Sequence, residues 1–539
     1  MRYGAQVQAA IDLYNEIGRS NSPADKCMSN YFRNRRFIGS KDKATIAGLI
    51  YGLMRRMGEV DYLIESVKGD KSYRMRIFVY MLLDGSTKQL IENICSGDTF
   101  APGFLNNEEK KNISAIDFAV LKNAPDCAKY NYPRWMEYSL KRAYGKQLPE
   151  IMEAMNQQAT TDIRVNTLKG NVDGVLAALI ADGFEMRKTE YSRNGLRMDA
   201  RKSIFVTDSF KKGRFEMQDE GSQLIAELCA VKPGQKVVDF CAGAGGKTLA
   251  LSACMENKGG LQALDIHERR LNEMPKRLKR AGVQNVRTKV INSENDKWVK
   301  RHKETQDVVL VDAPCSGAGT WRRNPDSRWK LTQDSLTELN DIQHSILMSA
   351  CRMVKKGGRL IYATCSVLEE ENEDQVKAFL EARHDFKIIP VNDVETQSNM
   401  PVMEGDFLKL NPYAHKVDGF FVAVLERTQS SIEESAKIAP KKPAKVEAEV
   451  SVEVVAETKV GTEAVVEATE EVKAKPKAAP KAKATAKAEA TNEDTAVVEK
   501  PKKAVAKKVV AKKAVKPTVK KPAVKKSAAK KTVKSKTEE

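Results

Sequence analysis

Apolar residues recur at three- and four-residue spacing through the first 125 or so positions, in AQVQAAIDLYNEI, KDKATIAGLIYGLMRR and YRMRIFVYMLLD. That period predicts amphipathic helices. Between about 130 and 215 the pattern is mixed. Helices PRWMEYSLKRAYG and LPEIMEAMNQQ precede a strand at DIRVNTL, a helix at VDGVLAALIADG and a strand at FEMRKTE. From about 217 to 427 short apolar runs alternate with helical stretches: KVVDF, GLQALD, VRTKVI, DVVLVD, GRLIYAT, FKIIP and GFFVAVLE, separated by segments such as HERRLNEMPKRLKRAG and DSLTELNDIQHSILMSACRMV. Alternation of this kind predicts an α/β domain with a doubly wound, mostly parallel sheet, whose ligands bind at the strand carboxyl ends. After Arg427 the periodicity stops, and no Phe, Trp, Tyr or Arg follows. The divisions are therefore a helical 1–128, an α+β 129–215, an α/β 216–428 and a disordered 429–539.

Composition changes this picture in a few places. The 539 residues are 41% hydrophobic, enough for a sizeable core, but no run approaches the length of a spanning helix. The first residues are amphipathic and lack a signal-peptide core, so a cytoplasmic protein without membrane association is expected. Nine cysteines and five histidines are scattered without a CxxC pair, which predicts neither a disulfide framework nor a metal site. The net charge is +19, and residues 431–539 hold 27 Lys against 16 acids, a surplus of 11. That leaves +8 for the first 430 residues. The tail is polarised too, with 5 Lys against 10 acids in 431–471 and 22 against 6 in 472–539. Such a basic end suits a sequence-blind anchor on RNA or another polyanion. In the segment YFRNRRFIGSKDK, Tyr31, Phe32 and Phe37 interleave with basic residues, as an RNA-facing surface does, or pack inward at a helix end. Arg164, Asn166 and Lys169 are expected on a small RNA-binding platform. A monomer is expected.

The candidate chemistry follows the strands. KVVDF runs into CAGAGGKTLALSA, where Gly243, Gly245 and Gly246 allow a tight turn and close approach of a ligand to backbone. Twenty residues past Gly245, Asp265 ends the next strand, where an acid can bond a ribose. A nucleoside-containing cofactor is implied. NAD is disfavoured because the third glycine of its fingerprint is Thr248. A P-loop ATPase acting on RNA is the runner-up, since Gly246-Lys247-Thr248 and the strand acid Asp312 match its pattern, but its leading glycine is Cys241. Two cysteines, Cys315 and Cys365, each lie just past a strand in polar loops, DAPCSGAG and TCSVLEEEN. One such cysteine is ordinarily a small buried hydrophobe. Two, behind a nucleoside-binding turn, point to chemistry.

Asp312-Ala-Pro-Cys315-Ser-Gly, Arg322-Arg323-Asn-Pro325-Asp326, Trp329 and Thr364-Cys365-Ser366 together resemble the Nop/Sun family of RNA cytosine-5 methyltransferases, in its RsmB-like bacterial branch. The resemblance runs from about 130 to 427 and includes Gln218-Asp219-Glu220 and DGFFVAVLER. It implies a Rossmann-like class I methyltransferase domain using S-adenosylmethionine, a NusB-like RNA-binding domain in the N-terminal helices, and a substrate that is small-subunit rRNA first and tRNA second. It makes Cys365 the nucleophile, associates Cys315 with product release, and puts Asp312 on the base edge with Lys247 beside it. It gathers Asp239, Cys241, Ala242, Gly243, Ala244, Gly245, Gly246, Lys247, Asp312 and Pro314 around the cofactor, with Asp265 on the ribose. Near the adenine the family's usual acid is missing from INSENDKW, so Asn292 or Asp296 takes that place. Arg270 is carried as a cofactor candidate, although a solvated helix face suits Arg269 and Arg270 better.

Overall fold

The computed structural model describes residues 1–199 and 202–429, so the tail predictions fall outside the described residues. The N-terminal periodicity forms helices Tyr3–Gly18, Ala24–Asn34, Ser40–Arg55, Met57–Ser66 and Tyr73–Leu83, followed by Lys88–Ile94 and Asn107–Ala115. Their apolar stripes meet in one core: Val7, Ala10, Leu13, Tyr14 and Ile17 of the first helix pack with Ile46, Ile50 and Leu53 of the third and Phe78 of the fifth. Ser72, Thr87 and Asn106 cap three of these helices by accepting a backbone N–H. The aromatic-basic segment divides. Tyr31 is buried with the Arg35 guanidinium 3.7 Å over its ring, whereas Phe37 is 76% exposed.

Next comes a four-stranded antiparallel sheet, ordered β2-β3-β1-β4, of β1 (Thr161–Val165), β2 (Arg187–Lys188), β3 (Gly195–Met198) and β4 (Phe215–Met217). Helix Val172–Ala181 covers it through Val175 and Leu179. The strand expected at 184–190 shrinks to two residues, because the Phe184 N–H closes the preceding helix on the Leu179 carbonyl at 3.0 Å. The expected platform is also corrected. Arg164 is buried and donates to the Gly246 carbonyl at 3.0 Å, and burial pulls its guanidinium down to about 10. Asn166 is buried too, leaving only Lys169 of the three exposed.

The larger sheet contains β5 (Lys236–Asp239), β6 (Gly260–Asp265), β7 (Val286–Val290), β8 (Gln306–Asp312), β9 (Val354–Thr364), β10 (Phe386–Ile389), β11 (Leu408–Leu410) and β12 (Phe420–Arg427). The order is β10-β12-β9-β8-β5-β6-β7, with β11 paired to β12. Strands β5 to β9 run parallel, and β12 inserts antiparallel between β9 and β10. Val308 to Val311 of β8 are essentially buried, each worth about 1.5–3 kcal/mol of transfer free energy. Continuous apolar strands like this are what two helix-covered faces require. The helix expected over HERRLNEMPKRLKRAG divides into Glu268–Leu271 and Met274–Ala281, with Pro275 in the first turn of the second, where its missing N–H costs nothing. The chain order reverses between β6 and β8 on either side of β5, which opens a crevice at their carboxyl ends. No helix among the described residues is long and apolar enough to cross a membrane.

Candidate active site

The turn after β5 is tied to both neighbouring strands. Phe240 N–H donates to the Leu310 carbonyl and Ala242 N–H to that of Leu264, each at 2.8 Å. Gly243 and Gly245 have φ of +53° and +86°, which admit glycine cheaply. Asp265 holds the turn as well: its Oδ2 accepts Gly243 N–H and its Oδ1 accepts His267 N–H, both at 2.7 Å. A Cβ on Gly243 or Gly246 would meet nothing within 4 Å, so the backbone faces an open cradle. Asp239 lies beneath it, accepting from Thr248 Oγ at 2.7 Å, while its buried Oδ1 has no hydrogen-bond partner. Burial pushes this carboxyl up to about 7; the Thr248 bond opposes the shift and the Asp312 charge adds to it. A carboxylate with one bare oxygen beside an open glycine turn fits the ammonium of an amino-acid moiety.

Strands β8 and β9 are in register at Asp312 and Ala363, so their C-terminal loops emerge side by side. That register brings Cys315 Sγ to 3.3 Å from Cys365 Sγ. The Cys315 thiol is driven well above its ordinary value by its contact with Cys365 and by burial. Lys247 Nζ pairs with Asp312 Oδ2 at 2.7 Å. Burial pulls the Lys247 ammonium down, but Asp312 outweighs it, with a smaller contribution from Cys365, so its pKa stands above the usual lysine value. Glu371, fully buried, locks the first cysteine loop: Ser316 N–H donates to it at 2.8 Å, Ser316 Oγ donates too, and Gln343 Nε2 does so at 3.0 Å. The second loop is fixed by Thr364 Oγ on Asn372 and by Gly319 N–H on the Cys365 carbonyl at 2.9 Å.

A cavity of about 660 Å³ opens over these groups and is lined by Asp239, Ala242, Gly246, Lys247, Asp312 and Cys365. Cys315 lies behind Cys365 and does not line it. Its opposite wall holds residues that sequence reasoning gave no role. Arg323 donates to Asp219 at 2.7 Å and to Asp418, and Arg322 donates to Asp418 at 3.1 Å. Asp219, pushed up to about 7 by burial and by the Asp418 charge, stays anchored by Arg323. These residues come from three distant segments, and the signal for them was their inclusion in QDEGSQ, RRNPD and DGFF. The remaining predicted residues stand apart. Arg270 is exposed on its short helix, and Pro314 is exposed with its carbonyl accepting Gln343 Nε2 at 2.9 Å. Asn292 is exposed and gives its N–H to Asp296, whose carboxylate also caps Trp298 at 2.7 Å. Among the described residues no group of three His, Cys, Asp or Glu is arranged to hold a metal ion.

Residues 226–426 match the family model of 16S rRNA methyltransferase RsmB/F, and residues 132–204 match that of the RsmF/B-like ferredoxin-like domain. The chain belongs to the RsmB-like branch of the Nop/Sun family. The ribosomal RNA small subunit methyltransferase B of Proteus mirabilis (strain HI4320) is 27% identical to this RsmB-like chain over 406 residues, covering 72% of it and 92% of the relative. That of Escherichia coli O6:K15:H31 (strain 536 / UPEC) is 29% identical over 404 residues, covering 72% and 91%. The crystal structure of PH0851 superposes with a TM-score of 0.63 at 26% identity, over 79% of this chain and 99% of the other. The structure of NSun6 from Pyrococcus horikoshii with SFG shares the fold, with a TM-score of 0.50 at 21% identity over 55% and 99%. The RsmB-like chain is a methyltransferase, and the bare Asp239 oxygen and open glycine turn fit S-adenosylmethionine, the cofactor its sequence implies. The P-loop alternative has no room in this turn: Lys247 is committed to Asp312, and Thr248 to Asp239.

Proposed function

We propose that this S-adenosylmethionine-dependent RNA methyltransferase modifies carbon 5 of a cytosine, in small-subunit rRNA, in the cytoplasm. The observation that carries the proposal is the cysteine pair: Cys365 faces the cavity beside Lys247 and Asp312, with Cys315 3.3 Å behind it. Carbon 5 of cytosine is a poor nucleophile, and addition of a thiolate to carbon 6 moves the ring electrons onto it. Cys365 makes that sulfur–carbon bond. Asp312 accepts a hydrogen bond from the exocyclic amine beside nitrogen 3 and so orients the base. Lys247, held on Asp312, places a cation beside the ring, where it steadies the charge that develops there. When bound, S-adenosylmethionine supplies the methyl group. Cys315 then assists loss of the carbon-5 proton; the electrons of that bond reform the ring double bond, and the bond to Cys365 breaks to return its thiolate.

Asp239 and the turn from Cys241 to Lys247, including Ala242, Gly243, Ala244, Gly245 and Gly246, hold the methionine end of the cofactor, with Asp239 Oδ1 on its ammonium. Asp265 takes the ribose with the lone pairs its two backbone N–H bonds leave. Pro314, two residues past Asp312, is assigned to the rim of the cofactor site. The adenine end lies toward Asn292, since Asp296 is spent on its helix cap.

The test is incubation with radiolabelled S-adenosylmethionine and rRNA or tRNA transcripts, comparing wild type, Cys365→Ser and Cys315→Ser. Wild type yields 5-methylcytosine, Cys365→Ser yields none, and Cys315→Ser accumulates a covalent protein–RNA adduct. Full transfer by Cys365→Ser sinks the mechanism, and preference for tRNA overturns the substrate.

A further inference from the structure

A second cavity, of about 730 Å³, flanks helix Met274–Ala281, and every side chain lining it is Lys or Arg. One wall carries Lys169, Lys211 and Arg214; the other carries Lys276, Lys279 and Arg280. A seventh cation, Lys212, is shared with Asp208 at 3.2 Å. Like charges are not crowded into a cleft at no cost, so the walls need to be fastened together. They are: the buried Asn166 amide donates to the Gly213 carbonyl at 2.9 Å on one side and to the Ala281 carbonyl at 2.8 Å on the other. Gly213, at φ +72°, lies so close that a Cβ there would sit 2.0 Å from the Arg280 carbonyl oxygen. The backbones of the two walls are thus fastened together before any ligand enters.

It is also linked to the catalytic cavity through side chains. Arg277, which lines that cavity, and Arg280, which lines the basic cleft, share the carboxylate of Glu216 on β4. Arg280 lies 4.1 Å over the Phe210 ring, Phe210 meets Phe205 edge-on at 5.0 Å, and Phe205, 53% exposed, is back on the catalytic cavity wall. An exposed aromatic ring at the catalytic cavity followed by a row of cations suits stacking of a base and then neutralisation of phosphates.

We propose that the single-stranded RNA on one side of the target base leaves the catalytic cavity over Phe205 and lies with its phosphates in this basic cleft. The inference rests on RNA being the substrate of the neighbouring site and adds the path and the residues that hold it. The full chain is titrated with a fluorescent 12-nucleotide RNA in S-adenosylhomocysteine across a range of KCl concentrations. The doubly substituted K276E/K279E chain loses roughly tenfold or more in affinity at low salt and shows a flatter salt slope. Phe205→Ala loses roughly tenfold with the slope unchanged, since stacking releases no counterions. A control with the same charge change at the amino-terminal end of the large sheet, on the exposed Lys303 and Lys356 (K303E/K356E), binds within about twofold of wild type. Cleft and control variants weakened alike, or a cleft variant that binds as wild type, overturns the proposal. Binding is read without turnover, so a failed cytosine-5 assignment appears separately, as wild type that binds RNA but makes no 5-methylcytosine.

Discussion

Asp239 is held against its own charge. Its carboxyl is buried, near neutrality at about 7, and faced by Thr248, Asp312, Lys247 and Asp265. Because the folded-state value is raised above that of an ordinary carboxyl, ionising it opposes folding, and the free protein loses this contribution to stability as pH climbs from the usual carboxylate range through about 7. A cation on the bare oxygen reverses that penalty. Affinity for S-adenosylhomocysteine, measured calorimetrically from pH 5.5 to 8.5, is therefore expected to strengthen as pH rises through about 7, and Asp239→Asn to flatten the profile. An unchanged slope in the Asn variant would remove Asp239 from the cofactor site. Glu371 poses a different problem, since it receives three donors around the Cys315 loop and touches no cavity atom. Glu371→Ala strands buried donors at about 1–3 kcal/mol each. The expected outcome is a lower melting temperature together with a kcat that falls more than KM for RNA rises, because the displaced group is the thiol and not the RNA path.

At the scale of elements, helix Pro325–Lys330 shows why family residues were legible in sequence while their work was not. Asp326 Oδ2 accepts the Ala24 N–H at 2.9 Å, and Trp329 Nε1 donates to the Met54 carbonyl at 2.6 Å. Arg55 donates to the Arg322 carbonyl at 3.0 Å. Buried Arg328, lowered to about 9, lies 4.4 Å from the Trp321 ring and reaches Asn156 at 2.6 Å. One turn-rich segment thus clamps the helical bundle onto the catalytic sheet. Trp329→Ala is expected to cost about 3 kcal/mol and to separate a bundle transition from that of the sheet in calorimetry; a single sharp transition would deny the clamp. The strands of the large sheet were legible because runs such as DVVLVD are apolar throughout, and the cysteine loops because each follows such a run. β3, β4 and β11 were not, since strands of three or four residues carry too little alternation to separate from loop. Nor could Arg164 be seen to turn inward, because its partner, the Gly246 carbonyl, is 82 residues away in sequence.

For the whole molecule, the distribution of charge separates two ways of holding RNA. The cleft places fixed cations beside the catalytic cavity, where geometry selects the strand that leaves the target base. Residues 431–539, by contrast, add a surplus of 11 lysines without an aromatic or an arginine, a composition that offers charge but neither stacking nor bidentate bonding. Removing the two should therefore have different signatures. A chain ending at residue 430 is expected to lose affinity for RNA, DNA and heparin alike, with a flatter salt dependence, while keeping its single-turnover rate on saturating RNA. The cleft variants should instead lose most on RNA that presents a single strand beside the reactive cytosine. Competition titrations of the truncated chain with heparin and with that RNA decide the matter. If truncation weakens RNA binding while heparin binding is unchanged, the basic tail reads more than charge; if it weakens neither, the tail takes no part in holding polyanions.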